Sequence, residues 1–202
     1  REPGLTHKGD IFSESRAAIA GGVTSFIEMP NTIPNTTNNS ALNEKIEIAK
    51  SKSFANFSFM FGGTNYNLDD ILSVDDNNIA GIKLFLGSST GNMLIDNHKV
   101  IEEIFRNTKL PISVHCEDEY IIKKNLINYI NKYGDDIPID LHPEIRNEEA
   151  CYKSSKFAIE LAKKTDARLN VFHISTAKEL DLFDNKLPLR QKKITSEACA
   201  HH

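Results

Sequence analysis

The sequence predicts an α/β protein built on a parallel sheet, closed in the manner of a (β/α)8 barrel rather than spread as an open nucleotide-binding sheet. Three observations predict it. Apolar strand-like runs alternate with helical segments about six times along the 202 residues, the pattern of a parallel sheet with crossover helices. The strand runs are near-continuously apolar, as expected where both sheet faces are covered. No Gly-rich phosphate loop follows the first strand, where a doubly wound nucleotide fold carries one. Met29-Pro30-Asn31-Thr32 is not such a loop, and Gly87-Ser88-Ser89-Thr90-Gly91 has no Lys after it.

The elements follow in order. A helix is predicted over 10–20, capped by Asp10 and stopped by Gly21-Gly22, because a short acidic side chain satisfies free N–H groups and glycine ends a helix easily. A strand follows over 23–29, then a polar loop, then a helix to residue 52 capped by Ser40. Residues 54–61 read as a strand ended by Gly62-Gly63, and 68–74 as a short helix. A strand over 79–86 leads through a Gly/Ser loop to a helix over 96–106 opened by Asp96. A strand over 111–115 and a helix over 118–133 come next, then a long loop to Pro143. The remainder reads as helix 148–164, strand 168–173, helix 176–183 and strand 193–197.

Bulk properties narrow the class. Hydrophobic residues make up 40 % and charged residues 26 %, with a formal net charge of −4 and no basic block. Nucleic acid and anionic membrane are therefore disfavoured as partners. No apolar run reaches the ~18 residues of a membrane span, and nothing at the start resembles a signal peptide. Cys116, Cys151 and Cys199 are odd in number, widely spaced and without a C-x-x-C. Such usage fits free thiols in a reducing compartment, hence a cytoplasmic location. Cys116 is a candidate nucleophile beside His115, but a buried free thiol is the commoner case. The chain starts at Arg1 and ends on His201-His202 after a strand, so both ends read as cuts through a longer polypeptide.

The residues that could do chemistry sit at strand ends, where barrels of this kind place their sites. Lys83 lies in Gly81-Ile82-Lys83-Leu84-Phe85, apolar on both sides. It is either a snorkelling or salt-bridged lysine, or a lysine kept neutral by burial. A neutral amine can add carbon dioxide and become a carbamate that bridges metal ions. His115 and His173 close two other strands at equivalent positions. Imidazole nitrogen is a common zinc ligand, and catalytic zinc typically takes three protein ligands; Lys83, His115 and His173 supply that number for one metal. Arg1 and Asn31 are candidates for binding a substrate carboxylate, through a guanidinium fork and an amide. His142 and Arg146 either shape a pocket or anchor the loop before the helix at 148, anchoring being favoured. Glu117 and Asp118 either orient a metal site or cap the next helix; Asp118 reads as the cap.

Five motifs together resemble the dihydroorotases of the amidohydrolase superfamily: Arg1-Glu2-Pro3-Gly4-Leu5-Thr6-His7-Lys8, Met29-Pro30-Asn31-Thr32, Gly81-Ile82-Lys83-Leu84-Phe85-Leu86-Gly87, His115-Cys116-Glu117-Asp118 and His173-Ile174-Ser175-Thr176. The resemblance covers nearly the whole chain, and the Arg-Glu-Pro-Gly segment favours dihydroorotase among the cyclic amidases. It implies a metal-dependent hydrolase barrel with two zinc ions bridged by a carboxylated lysine. Carried over, Lys83 is the bridging ligand, His115 and His173 hold the second metal, and Arg1 and Asn31 bind the substrate carboxylate. The family's His-x-His pair at the first strand and its catalytic Asp at the eighth have no counterpart in the sequence. Residues 1–202 are thus expected to be a single partial barrel domain, about six of the eight units, lacking the first and last strands and the catalytic Asp, and inactive by themselves. Some dihydroorotases use an aspartate in place of the lysine; Lys83 places this chain with the lysine users, a trait shared with hydantoinases and allantoinases. The implied reaction is reversible cyclisation of N-carbamoyl-L-aspartate to L-dihydroorotate in de novo pyrimidine biosynthesis. The implied partner is that small-molecule substrate; a homo-oligomer is left open. Another cyclic amidase, or a non-catalytic dihydroorotase-like partner subunit, are the alternative readings.

Overall fold

The computed structural model describes residues 1–75, 77–87 and 93–200. The loop beyond Gly87 and the terminal His201-His202, both singled out above, lie outside the described residues.

Six strands form one parallel sheet: β1 (Ser25–Glu28), β2 (Asn56–Gly62), β3 (Gly81–Phe85), β4 (Ile112–His115), β5 (Leu169–Val171) and β6 (Ile194–Ser196). Their order in space is their order in sequence, each strand pairing in parallel with the next. A doubly wound sheet reverses its strand order at a switch point, whereas a barrel winds in one direction. The sheet is therefore part of a (β/α)8 barrel, as the repeated βα pattern predicted.

The helices are α1 (Ile11–Ala20), α2 (Asn39–Lys52), α3 (Leu68–Ser73), α4 (His98–Asn107), α5 (Glu119–Tyr133), α6 (His142–Ile145), α7 (Glu148–Thr165) and α8 (Ala177–Leu180). Asp10 and Asp118 cap α1 and α5 as expected, accepting from Ser13 N at 2.7 Å and Ile121 N at 3.0 Å. Two starts differ from the sequence reading. Asn38 rather than Ser40 caps α2, and Asn97 rather than Asp96 caps α4; in each case a neighbouring asparagine offers an equivalent acceptor. The stretch read as a long loop before Pro143 contains a short 3₁₀ turn (Ile139–Leu141) and α6. Pro143 sits in the first turn of α6, where its missing N–H costs nothing.

The core lies between the sheet and its helices. All five residues of β3 are buried. Phe59, Phe61, Ile82, Leu84, Ile112, Val114, Leu169 and Val171 meet Ile104 and Phe105 of α4 and Ile159 of α7. Each such side chain contributes about 1.5–3 kcal/mol by leaving water. That apolar layer fixes where the strands end, and hence where the polar residues after them converge.

Two buried polar anchors hold the loops at the β1 side. Lys45, on the inner stripe of α2 with Leu42 and Ala49, is 0 % exposed. Its Nζ donates to Met29 O at 2.7 Å and Thr36 Oγ1 at 3.2 Å, and pairs with Glu28. Glu2 is also buried; it accepts from Ile11 N at 3.0 Å and pairs with Lys52. The turn at residues 1–4 packs on the loop after β1, with Ile33 N donating to Pro3 O at 3.2 Å. Gly4 sits there at φ +81°, where a Cβ would lie 2.2 Å from Ile33 O, so only glycine fits without displacing the backbone.

Candidate active site

Lys83 projects from the same face of β3 as Phe85, since alternate strand residues share a face. Its side chain is 2 % exposed, and its Nζ stands 3.7 Å from the Phe172 ring centroid and 5.0 Å from that of Phe85. Its Nζ has no hydrogen-bond partner among the described residues. The snorkelling and salt-bridged readings are thus both excluded. Burial pulls its ammonium down to about 7, only partly opposed by the nearby Cys116 and Glu197. The aromatic faces attract a cation weakly, far less than water would.

His115 ends β4. His173 lies two residues beyond β5 rather than within it, at φ +37°. A left-handed conformation at a non-glycine residue is strained and concentrates at functional sites. The two imidazoles converge, His115 Nδ1 standing 3.1 Å from His173 Nε2 with ring centroids 4.9 Å apart. Burial, then the adjacent His115, lowers the pKa of His173, which favours its neutral form.

Glu117 is buried and closes the arrangement from behind. Its Oε2 lies 2.8 Å from His115 Nε2, and Arg146 grips both carboxylate oxygens, Nε reaching Oε1 at 2.8 Å and Nη2 reaching Oε2. Burial would raise this carboxyl, but hydrogen bonds from His115 and Arg146 outweigh it and hold it at about 2. Arg146 therefore anchors its loop, as favoured above, but onto the group that holds His115. Asp118 serves as the helix cap and pairs with Lys153 at 2.8 Å. Cys116 is buried, and burial pushes its thiol up to about 12, the opposite of what a cysteine nucleophile requires.

Arg1, Asn31, Glu28, Lys83, Phe172 and His173 line one cavity of about 480 Å³. The candidates from the N-terminal motifs and those from two of the strand ends thus share a single space. His142, at the start of α6, is not among its lining residues. No group of three His, Cys, Asp or Glu side chains suited to a metal occurs among the described residues. The donors that do converge are two imidazoles, with the orphaned Lys83 amine opening into the cavity that His173 also lines. A buried amine without a partner, in a cavity shared with one of two facing imidazoles, fits a metal centre once the amine becomes an anionic ligand. Lys45 and Glu2 are the polar residues that motif reading passed over. The signal for Lys45 was its place on the Leu42–Ala49 stripe of α2.

A sequentially ordered parallel α/β sheet with a lysine and two histidines at its strand ends defines a partial amidohydrolase barrel. Known proteins agree. The chain is 33 % identical to a dihydroorotase of Methanosphaera stadtmanae over 208 residues, which covers all of this chain and 45 % of that protein. It is 28 % identical to an allantoinase of Escherichia coli over 213 residues, covering all of this chain and 46 % of that one. Among solved structures it resembles the L-hydantoinase (dihydropyrimidinase) of Arthrobacter aurescens, with a TM-score of 0.83 and 26 % identity over 94 % of this chain and 42 % of that one. No protein-family model matches. Over its whole length the chain is similar in sequence to several dihydroorotases, and in sequence and fold to other cyclic amidases of the same superfamily. It spans about 45 % of the length of the curated relatives it matches.

Proposed function

We propose that the protein carrying this chain is a zinc-dependent dihydroorotase, interconverting N-carbamoyl-L-aspartate and L-dihydroorotate. The observation that carries this reading is the shared cavity, in which the orphaned Lys83 amine and His173 face Arg1 and Asn31. Whole-chain similarity to several dihydroorotases supports it.

Lys83, His115 and His173 hold the metal in this reading. The neutral amine of Lys83 attacks the carbon of carbon dioxide, forms a C–N bond and releases a proton, leaving a carbamate on a long arm. A divalent metal bound there supplies Lewis-acid polarisation of the amide carbonyl and a lowered pKa for water. Arg1 clamps the substrate carboxylate with its guanidinium fork, and Asn31 adds an amide hydrogen bond. Together they fix the ring's pose against the metal side, which is the main contribution of positioning groups. Phe85 and Phe172 wall the site around Lys83 and exclude water from the amine.

Arg1→Ala tests the reading in the full-length protein. A charge-assisted contact contributes about 1.5–3 kcal/mol, so kcat/KM for dihydroorotate is expected to fall about 10- to 100-fold. Turnover of hydantoin or allantoin, whose rings lack the carboxylate, is expected to change little in the same variant. Comparable turnover of those two by the unaltered protein, with none of dihydroorotate, would sink the assignment in favour of another cyclic amidase. A non-catalytic partner subunit is disfavoured because Lys83, His115 and His173 are all kept. The isolated 202 residues are expected to be inactive, because β1 and β6 end the sheet as open edges and leave the barrel unsealed; turnover by that piece alone would refute this.

A further inference from the structure

Arg146 lies outside the cavity, yet it is joined to His115 through one carboxylate. Its segment is strapped in place independently of that contact. Asn125 of α5 donates to Glu144 O at 3.2 Å and Ile145 O at 3.1 Å, and Arg146 N donates to His142 O at 3.0 Å. The Glu117 side is held as firmly. The next residue, Asp118, donates its N–H to Ala150 O at the start of α7. Gly87 presses on Glu117 from the β3 side, where a Cβ would stand 2.6 Å from Glu117 O and 2.8 Å from its Cβ. The carboxylate is therefore fixed between two rigid bodies, with both oxygens engaged by the guanidinium.

An ionised carboxylate can only accept hydrogen bonds. The atom of His115 facing it at 2.8 Å is Nε2, so the neutral ring carries its proton on Nε2 and keeps the lone pair on Nδ1. That lone pair points at His173 Nε2, 3.1 Å away. Were Glu117 free to swing, His115 could take either tautomer or turn its ring.

We propose that Arg146 is a positioning residue for the metal site: by clamping Glu117 it fixes the His115 ring as the Nε2–H tautomer, with Nδ1 presented beside His173 as the ligand atom. This rests on the metal-binding role assigned above to His115. The site thus extends from the strand ends to the segment between α5 and α7, which touches no part of the cavity.

The test uses the full-length protein with Arg146→Met, Arg146→Lys and, as a control, Lys153→Met, which removes a neighbouring surface ion pair. Zinc affinity, measured by competition with a chelator, is expected to fall about 10- to 100-fold in Arg146→Met, the usual effect of losing a group that orients a ligand. Arg146→Lys keeps the charge without the fork and is expected to fall between. Lys153→Met is expected to match the unaltered protein. Imidazole ¹⁵N shifts of the metal-free protein supply the readout that general destabilisation would not move. The unaltered protein is expected to show one His115 tautomer, protonated at Nε2, and Arg146→Met a mixture. Unaltered zinc affinity and a single tautomer in folded Arg146→Met would overturn the proposal; if that variant does not fold, the same two measurements on Arg146→Lys decide. If the protein acts on hydantoin rather than dihydroorotate, these readouts stand unchanged. If it binds no zinc at all, the metal assignment fails while the tautomer still reports on the clamp.

Discussion

Lys83→Met is expected to abolish turnover, by about 10³-fold or more, and at the same time to raise the Tm of the metal-free protein. The loss follows from removing the proposed metal ligand, which no neighbour replaces. The gain follows from burial. Lys83 is 2 % exposed, without a hydrogen-bond partner, and burial brings it from 10.5 to about 7. Between those two values the unfolded chain holds a proton on Lys83 that the folded chain has released. Stability of the metal-free form therefore rises with pH across that window and is lowest below it. At ~1.4 kcal/mol per pH unit, the handicap near neutrality is on the order of a few kcal/mol, less whatever the Phe172 ring returns. Methionine has a similar length and no charge, so it removes the handicap. Thermal melts of chelator-treated protein between pH 7 and 10 check this: the unaltered protein is expected to gain stability with pH, and Lys83→Met to show no such gain. Equal slopes would contradict the assignment of Lys83 as a strained, unpaired amine. Such a residue is retained against its cost to folding, the mark of a functional group.

Lys45→Met is expected to be the most damaging substitution away from the cavity. It leaves the half-buried Glu28 without its cation and cuts the ion pair of the fully buried Lys45, at a cost of up to about 3 kcal/mol, the lower end for a buried pair. Burial already lowers Lys45 and raises Glu28 from their ordinary values, so each depends on the other to stay charged. The same substitution cuts the bonds from Nζ to Met29 O and Thr36 Oγ1, which fix the loop that carries Asn31. KM for dihydroorotate is therefore expected to rise in whatever fraction still folds. The double variant Lys45→Met/Glu28→Gln is expected to recover much of the stability but not the KM, because the loop anchors remain absent. A double variant no more stable than the single one would show that the ion pair is not the source of the loss.

Much of this was legible in the sequence, and what was missed has a common cause. The strand-end residues Lys83, His115 and His173 stood out because a polar group closing an apolar run contradicts its surroundings. Asp10 and Asp118 were readable as caps because capping is decided within four residues. Lys45 and Glu2 were not read as anchors because their partners lie far along the chain, Glu2 with Lys52 and Lys45 with Glu28 and Met29. Nothing local distinguishes such a lysine from a solvated one except its place on a buried helical stripe. The sequence places His173 in a strand because its apolar neighbours continue past Val171. Only the structure shows the chain turning there, at φ +37°. Arg146 was favoured as a loop anchor without its target, since a guanidinium and a carboxylate separated by a fifteen-residue helix (α5) carry no mutual signature.

The contact between the turn at residues 1–4 and the loop after β1 has an evolutionary consequence. Pro3 O accepts from Ile33 N, and Gly4 lets the two backbones touch, so Arg1 and Asn31 are carried by one body at the β1 edge of the sheet. The candidate ligands belong to a different body, the ends of β3, β4 and β5. Under the proposed roles, exchanging the first body would change what is recognised without disturbing the ligands that do the chemistry. A barrel divided in this way can inherit its reactive half intact while its recognition half drifts, so relatives named for different cyclic amides can share the lysine and both histidines.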